Sequence, residues 1–139
     1  MAEVALRDAG QKLQSEDLTT NNTVAAADSG VVLNQRADGL TTTLPAVGAT
    51  NVNLTVIVRV GDVQQTNGPT GAGTGNGEIG HTISPNSADK IIGLGAAGTD
   101  DQDLVLAKAD HQVGDYVVLQ SDGSTGWFVV EAKGAWARA

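Results

Sequence analysis

Val52-Asn53-Leu54-Thr55-Val56-Ile57-Val58-Arg59-Val60 is the stretch that decides the fold class. Val52, Leu54, Val56, Val58 and Val60 fall on one face of an extended chain, and Asn53, Thr55, Ile57 and Arg59 on the other. Side chains alternate across a strand with a period of two, so one wholly apolar face predicts a half-buried β-strand. A helix would scatter the same residues around its circumference. The β-branched valine, isoleucine and threonine side chains favour the same choice.

The same period recurs on either side. Leu40-Thr41-Thr42-Thr43-Leu44 is β-branched and stops at Pro45, which cannot donate to a ladder. Ile79, His81 and Ile83 alternate with Gly80, Thr82 and Ser84 before a turn at Pro85-Asn86. Leu104-Val105-Leu106-Ala107, Tyr116-Val117-Val118-Leu119 and Trp127-Phe128-Val129-Val130 continue the series, with Val31-Val32-Leu33 and Ile91-Ile92 as shorter members. Asp38-Gly39 and Asp122-Gly123 predict tight hairpin turns, and Gly61-Asp62 and Gly114-Asp115 strand-edge turns. The crossover helices of a parallel α/β fold have no room between these runs. The pattern predicts an all-β chain: an antiparallel β-sandwich, jelly-roll-like, over residues 30–139. Thr66-Asn67-Gly68-Pro69-Thr70-Gly71-Ala72-Gly73-Thr74-Gly75-Asn76-Gly77 is its one low-complexity stretch and reads as a long loop between strands.

Residues 1–29 have a different texture. Val4, Leu6, Leu13 and Leu18 are separated without sustained helical or strand period, and Ala25-Ala26-Ala27-Asp28-Ser29-Gly30 reads as a linker. This segment is expected to be an extended arm that finds its partners on another surface.

The 139 residues carry 8 basic and 16 acidic side chains, a net charge of −8, and only 3% are aromatic. Lys and Arg occur singly, without the clusters that neutralise phosphates, so no nucleic-acid partner is expected. The same sign argues against an anionic membrane surface. There is no cysteine, which excludes disulfides and thiolate chemistry. Met1-Ala2-Glu3-Val4-Ala5-Leu6-Arg7 has no apolar h-region, so synthesis in the cytoplasm without export is expected. Tyr116, Trp127, Phe128 and Trp136 are the only large rings, and a chain with so few is expected to use them in its core or in a seam between subunits.

Catalytic and metal motifs are weak. Gly71, Gly73, Gly75 and Gly77 are spaced by two, which fits neither G-x-G-x-x-G nor a P-loop. His81 lies on the Ile79/Ile83 face, where a satisfied, partly buried imidazole is the ordinary occupant, and His111 follows Asp110 in a polar connection. Asp100-Asp101-Gln102-Asp103 has acidic density, but the EF-hand spacing stops at Val105. No nucleophile elbow occurs. No enzymatic activity, cofactor or metal is expected.

Three stretches together carry a family resemblance. They are Gly39-Leu40-Thr41-Thr42-Thr43-Leu44-Pro45, Ile83-Ser84-Pro85-Asn86-Ser87-Ala88-Asp89-Lys90-Ile91-Ile92-Gly93, and the ending Val113-Gly114-Asp115-Tyr116-Val117-Val118-Leu119-Gln120-Ser121-Asp122-Gly123-Ser124-Thr125-Gly126-Trp127-Phe128-Val129-Val130. Their order resembles a small all-β module of tailed-bacteriophage virion proteins, and a short acidic copy with an N-terminal arm looks like a capsid decoration (cement) protein. The resemblance implies a homotrimer on the outer surface of the head, bound to the major capsid protein and bridging neighbouring capsomers. Glu3, Val4, Leu6, Arg7, Leu13 and Leu18 are then the expected capsid-binding arm, and Tyr116, Trp127, Phe128 and Trp136 the expected trimer seam or core. The alternative reading is a fibre- or tail-associated, lectin-like module that recognises surface glycan through exposed aromatics or the Gly-rich loop.

Overall fold

The computed structural model describes residues 14–37, 39–61, 79–107, 112 and 114–139. Eleven strands follow one another: β1 (Ser15–Leu18), β2 (Asn22–Thr23), β3 (Val32–Gln35), β4 (Leu40–Thr43), β5 (Thr55–Val60), β6 (Ile79–Ser84), β7 (Lys90–Ile92), β8 (Leu104–Ala107), β9 (Tyr116–Ser121), β10 (Gly126–Lys133) and β11 (Trp136–Arg138). They form a six-stranded sheet in the order β1-β3-β5-β9-β10-β7 and a five-stranded sheet in the order β11-β8-β6-β4-β2. Short 3-10 turns at Ala26–Asp28 and Ala49–Asn51 are the only helical elements among the described residues. The all-β expectation therefore stands as two sheets.

The pairing corrects the expectation of an antiparallel, jelly-roll-like sandwich. β1–β3, β3–β5, β2–β4, β4–β6 and β7–β10 are parallel, and the other four pairings antiparallel. Parallel neighbours need a crossover, and here the opposite sheet supplies it in place of a helix. Apart from the β9–β10 hairpin, each connection between successive strands passes from one sheet to the other. β3 and β4 lie in different sheets, so they do not form the hairpin expected around Asp38-Gly39, of which Asp38 lies outside the described residues. A period of two tells which residues face inward but not the direction of the neighbouring strand.

The described part of the expected arm belongs to these sheets. β1 runs parallel to β3 with Ser15 opposite Val32 and Leu18 opposite Gln35, and β2 runs parallel to β4. Asn34 Nδ2 donates to Asp17 Oδ1 at 2.9 Å, Arg59 Nε donates to Asn34 Oδ1 at 3.0 Å, and Arg36 pairs with Asp17 at 3.3 Å. This polar row laces β1 to β3 and β5 across the outer face. β1 and β2 are too short and polar to announce themselves by periodicity; the neighbouring strands define them.

Inward residues of both sheets make one core: Leu33, Val56, Val58, Val60, Ile91, Val117, Leu119 and Trp127 from one, Ile83, Leu104, Leu106 and Trp136 from the other. The stretch quoted first enters the sheet at Thr55 and alternates half-buried and buried residues up to Val60. Asn53 turns at φ +66 and Val52 is exposed, so the strand starts later than its pattern. His81 is buried beside this core, as its place between Ile79 and Ile83 suggested.

The β9–β10 hairpin closes through residues 122–125, where Asp122 Oδ1 accepts from the backbone N–H groups of Thr125 at 2.7 Å, Ser124 at 2.8 Å and Gly126 at 3.0 Å. The Gly126 and then the Ser124 N–H hold this carboxyl below its usual value of 3.8, because each favours the ionised form. A depressed folded-state pKa contributes stability above the unfolded value that is lost as pH falls through the folded one. Asp122→Ala is expected to cost on the order of 1 kcal/mol at neutral pH and to make stability less steep in pH below about 4. Denaturation midpoints measured between neutral and acid pH check this; parallel wild-type and mutant curves would refute it.

Candidate functional site

β10 does more than complete the hairpin. Its register against β9 runs Val129 opposite Leu119 and then Glu131 opposite Val118, so Val130 is an extra, bulged residue. Trp127 is buried and Val129 packs against the same core, as does Ala132 after the bulge. Were Val130 paired in strict alternation instead of bulged, Glu131 would turn inward and Ala132 outward. The bulge keeps Glu131 on the surface, where its Oε1 accepts the Tyr116 hydroxyl at 2.8 Å. That hydrogen bond, joined by desolvation and by the carboxylate's charge, pushes the Tyr116 phenol above its ordinary value of 10.0.

The bulge also leaves apolar surface uncovered. Val130 is 61% exposed, Leu94 48% and Phe128 45%, and Val52 is the remaining large hydrophobic residue this open among the described residues. Phe128 stands opposite Ile92 on β7, which is half-buried. A β-carbon on Gly93 would sit 2.8 Å from Val129 Cβ, so the chain leaving β7 is pressed against β10. Ile92, Leu94, Phe128 and Val130 thus occupy neighbouring positions on two adjacent strands and the turn that follows, forming an apolar ridge.

The turn presenting Leu94 is strained. Gly93 and Ala96 exchange both backbone hydrogen bonds, at 2.8 and 3.1 Å, and Leu94 and Gly95 between them have φ +53 and +81. Such a two-residue turn favours Asn-Gly, and a left-handed leucine costs roughly 1–2 kcal/mol. Asn53 and Asp101, the other non-glycine residues with positive φ among the described residues, are of types that tolerate it. The strained loop is held from the other sheet: Arg138 on β11 donates to the Ile91 carbonyl, to Gly93 O at 2.6 Å and to Ala96 O at 3.3 Å.

The residues singled out in the sequence separate cleanly. Trp127 and Trp136 are buried in the core, and Trp136 Nε1 donates to the Tyr116 and Lys133 carbonyls. Tyr116 is half-buried on the outer face, and Phe128 alone of the four rings is exposed. Neither tryptophan is open to stack on a sugar. Leu18 packs against the core from β1, while Glu3, Val4, Leu6, Arg7 and Leu13 lie outside the described residues. So do the Gly-rich loop 66–77 and His111; the loop falls in the connection from β5 to β6.

Among the described residues no group of three or more His, Asp or Glu side chains is placed to hold a metal ion, and no helix is long and apolar enough to cross a membrane. Leu94 and Val130 escaped the sequence reading. A leucine between two glycines was a signal for the first; the bulge that exposes the second has no sequence signature.

No protein-family model matches the chain, and a search of curated proteins returns no significant match.

Proposed function

We propose that this chain is a structural virion protein, without enzymatic activity, that binds the outer surface of a tailed-phage head as a homotrimer. Its partner is the major capsid protein, and its work is to bridge neighbouring capsomers and stiffen the shell. The observation that carries this reading is the apolar ridge: exposed hydrophobic side chains on a rigid sheet and a clamped turn suit contact with another protein surface. The three stretches behind the resemblance also lie together in the fold. Leu40–Thr43 pairs with Ile79–Ser84, and Lys90–Ile92 pairs with Gly126–Lys133. Repetition of one modest contact over a lattice multiplies its strength through avidity.

Purified protein mixed with heads assembled without it is expected to co-sediment to saturation and to raise the temperature at which the heads rupture. Heads that neither bind it nor gain stability overturn the reading. The arm is tested by deleting residues 2–13, which spares the strand at Ser15–Leu18. This truncation is expected to weaken head binding by roughly tenfold or more while the trimer persists, through lost main-chain pairing and apolar anchors. Undiminished binding would remove Glu3, Val4, Leu6, Arg7 and Leu13 from the mechanism.

A further inference from the structure

We infer that Arg59 on β5 is a carboxylate-binding residue, and that the outer face of the six-stranded sheet meets an acidic side chain of a protein partner there. The Arg59 site stands on its own geometry; taking the shell as the source of the carboxylate rests on the head-binding reading.

Asp17, Asn34, Arg59, Tyr116 and Lys133 stand in one register row across β1, β3, β5, β9 and β10. Asn34 is buried although it lies on the outward side of β3, and both ends of its amide are committed. Its Nδ2 donates to Asp17 Oδ1 at 2.9 Å, and its Oδ1 accepts from Arg59 Nε at 3.0 Å. This relay orients the guanidinium through one of its N–H groups. Among the described residues no other hydrogen bond and no ion pair involves Arg59. The two terminal amino groups that remain present the parallel donors that match a carboxylate. An arginine oriented before its ligand arrives loses less rotamer freedom on binding, so Asn34 acts as a positioning residue.

The neighbouring charges leave this cation uncompensated. Asp17 is spent on Asn34 and on Arg36 at 3.3 Å. Glu131 accepts the Tyr116 hydroxyl, and Lys133, exposed two residues further along β10, offsets its charge. Arg59 therefore stays unpaired in a chain where acidic side chains outnumber basic ones 16 to 8. The same two acids decide against phosphate, because a dianion meets twice the repulsion and phosphate sites draw on clustered cations. The next outward row holds Val32, Ile57 and Val118, an apolar neighbourhood in which a charge-assisted hydrogen bond is strengthened.

Side-chain nitrogen NMR of the full chain at low salt tests this, with circular dichroism confirming that each variant folds. Acetate is expected to saturate the Arg59 Nε–H shift at roughly a tenth of the concentration needed at Arg36, which already faces Asp17. Asn34→Ala is expected to weaken acetate binding at Arg59 by roughly threefold or more, because the guanidinium is then able to turn. Arg59→Gln is expected to weaken head binding by roughly tenfold, and Arg59→Lys, which keeps the charge without the fork, to recover only part of it. Acetate that binds no more tightly at Arg59 than at Arg36, or inorganic phosphate bound more tightly than acetate, overturns the carboxylate site whatever the heads do. Acetate binding unchanged in a folded Asn34→Ala variant overturns the positioning role. Heads that take Arg59→Gln as readily as the wild type overturn the shell as the carboxylate's source. A wild-type chain that binds no heads overturns the head reading and that source together, and the acetate result still decides the Arg59 site.

Discussion

Trp127→Ala is expected to lower the unfolding free energy by about 3–5 kcal/mol, the largest effect of any single substitution considered. Trp127 is fully buried on β10, between Ser121 of β9 and Ile91 of β7 in the register. Its indole occupies the centre of a core otherwise built from valine, leucine and isoleucine, apart from Trp136. None of these side chains is long enough to fill the space the ring would leave. Its Nε1 has no hydrogen-bond partner among the described residues. The loss is therefore one of packing and transfer, and Trp127→Phe should recover much of it. Small domains have total stabilities of about 5–15 kcal/mol, so the alanine variant is expected to be partly unfolded at ambient temperature. Equilibrium urea denaturation followed by circular dichroism measures the difference; a loss below about 1 kcal/mol would place the ring outside the shared core.

The second large effect is expected at Gly126. A β-carbon there would overlap the Lys90 carbonyl oxygen and lie 3.0 Å from its carbonyl carbon and nitrogen. These are backbone atoms of the paired strand, so no side chain can swing away. Gly126→Ala forces β7 off β10 at the first residue of their pairing, where Gly126 stands opposite Lys90. We expect a cost of about 2–3 kcal/mol, of the kind overpacking brings. Because β7 carries Ile91 and Ile92 and leads into the Leu94 turn, the same change is expected to speed amide exchange at Ile91 and Ile92. Wild-type stability and exchange in this variant would show that the parallel β7–β10 contact is not needed.

The sequence reading succeeded where a strand is long and one-sided. Thr55–Val60, Ile79–Ser84 and Tyr116–Ser121 carry their own alternation, and burial follows it in the first and last. It missed Ser15–Leu18 and Asn22–Thr23 because these elements owe their existence to distant neighbours rather than to their own pattern. It took the sheets as antiparallel because alternation carries no information about strand direction. For the site, the scarcity of rings drew attention to Tyr116, Trp127, Phe128 and Trp136, but the four differ in exposure: Trp127 and Trp136 are buried, Tyr116 is half-buried and Phe128 is exposed. The face each ring takes follows from the phase of β10 and from the pairing of β11 with β8.

The passage of the chain from sheet to sheet also bears on how the protein is made. β5 and β9 are neighbours in the finished sheet, with Ile57 opposite Val118, yet they leave the ribosome far apart in time. Until the β9–β10 hairpin emerges, a nascent chain that has stacked its first coils presents β5 as a bare, valine-rich border. That border is the point at which a stalled or truncated translation product would stick to its own kind, and chaperone demand should peak just before Tyr116–Ser121 is synthesised.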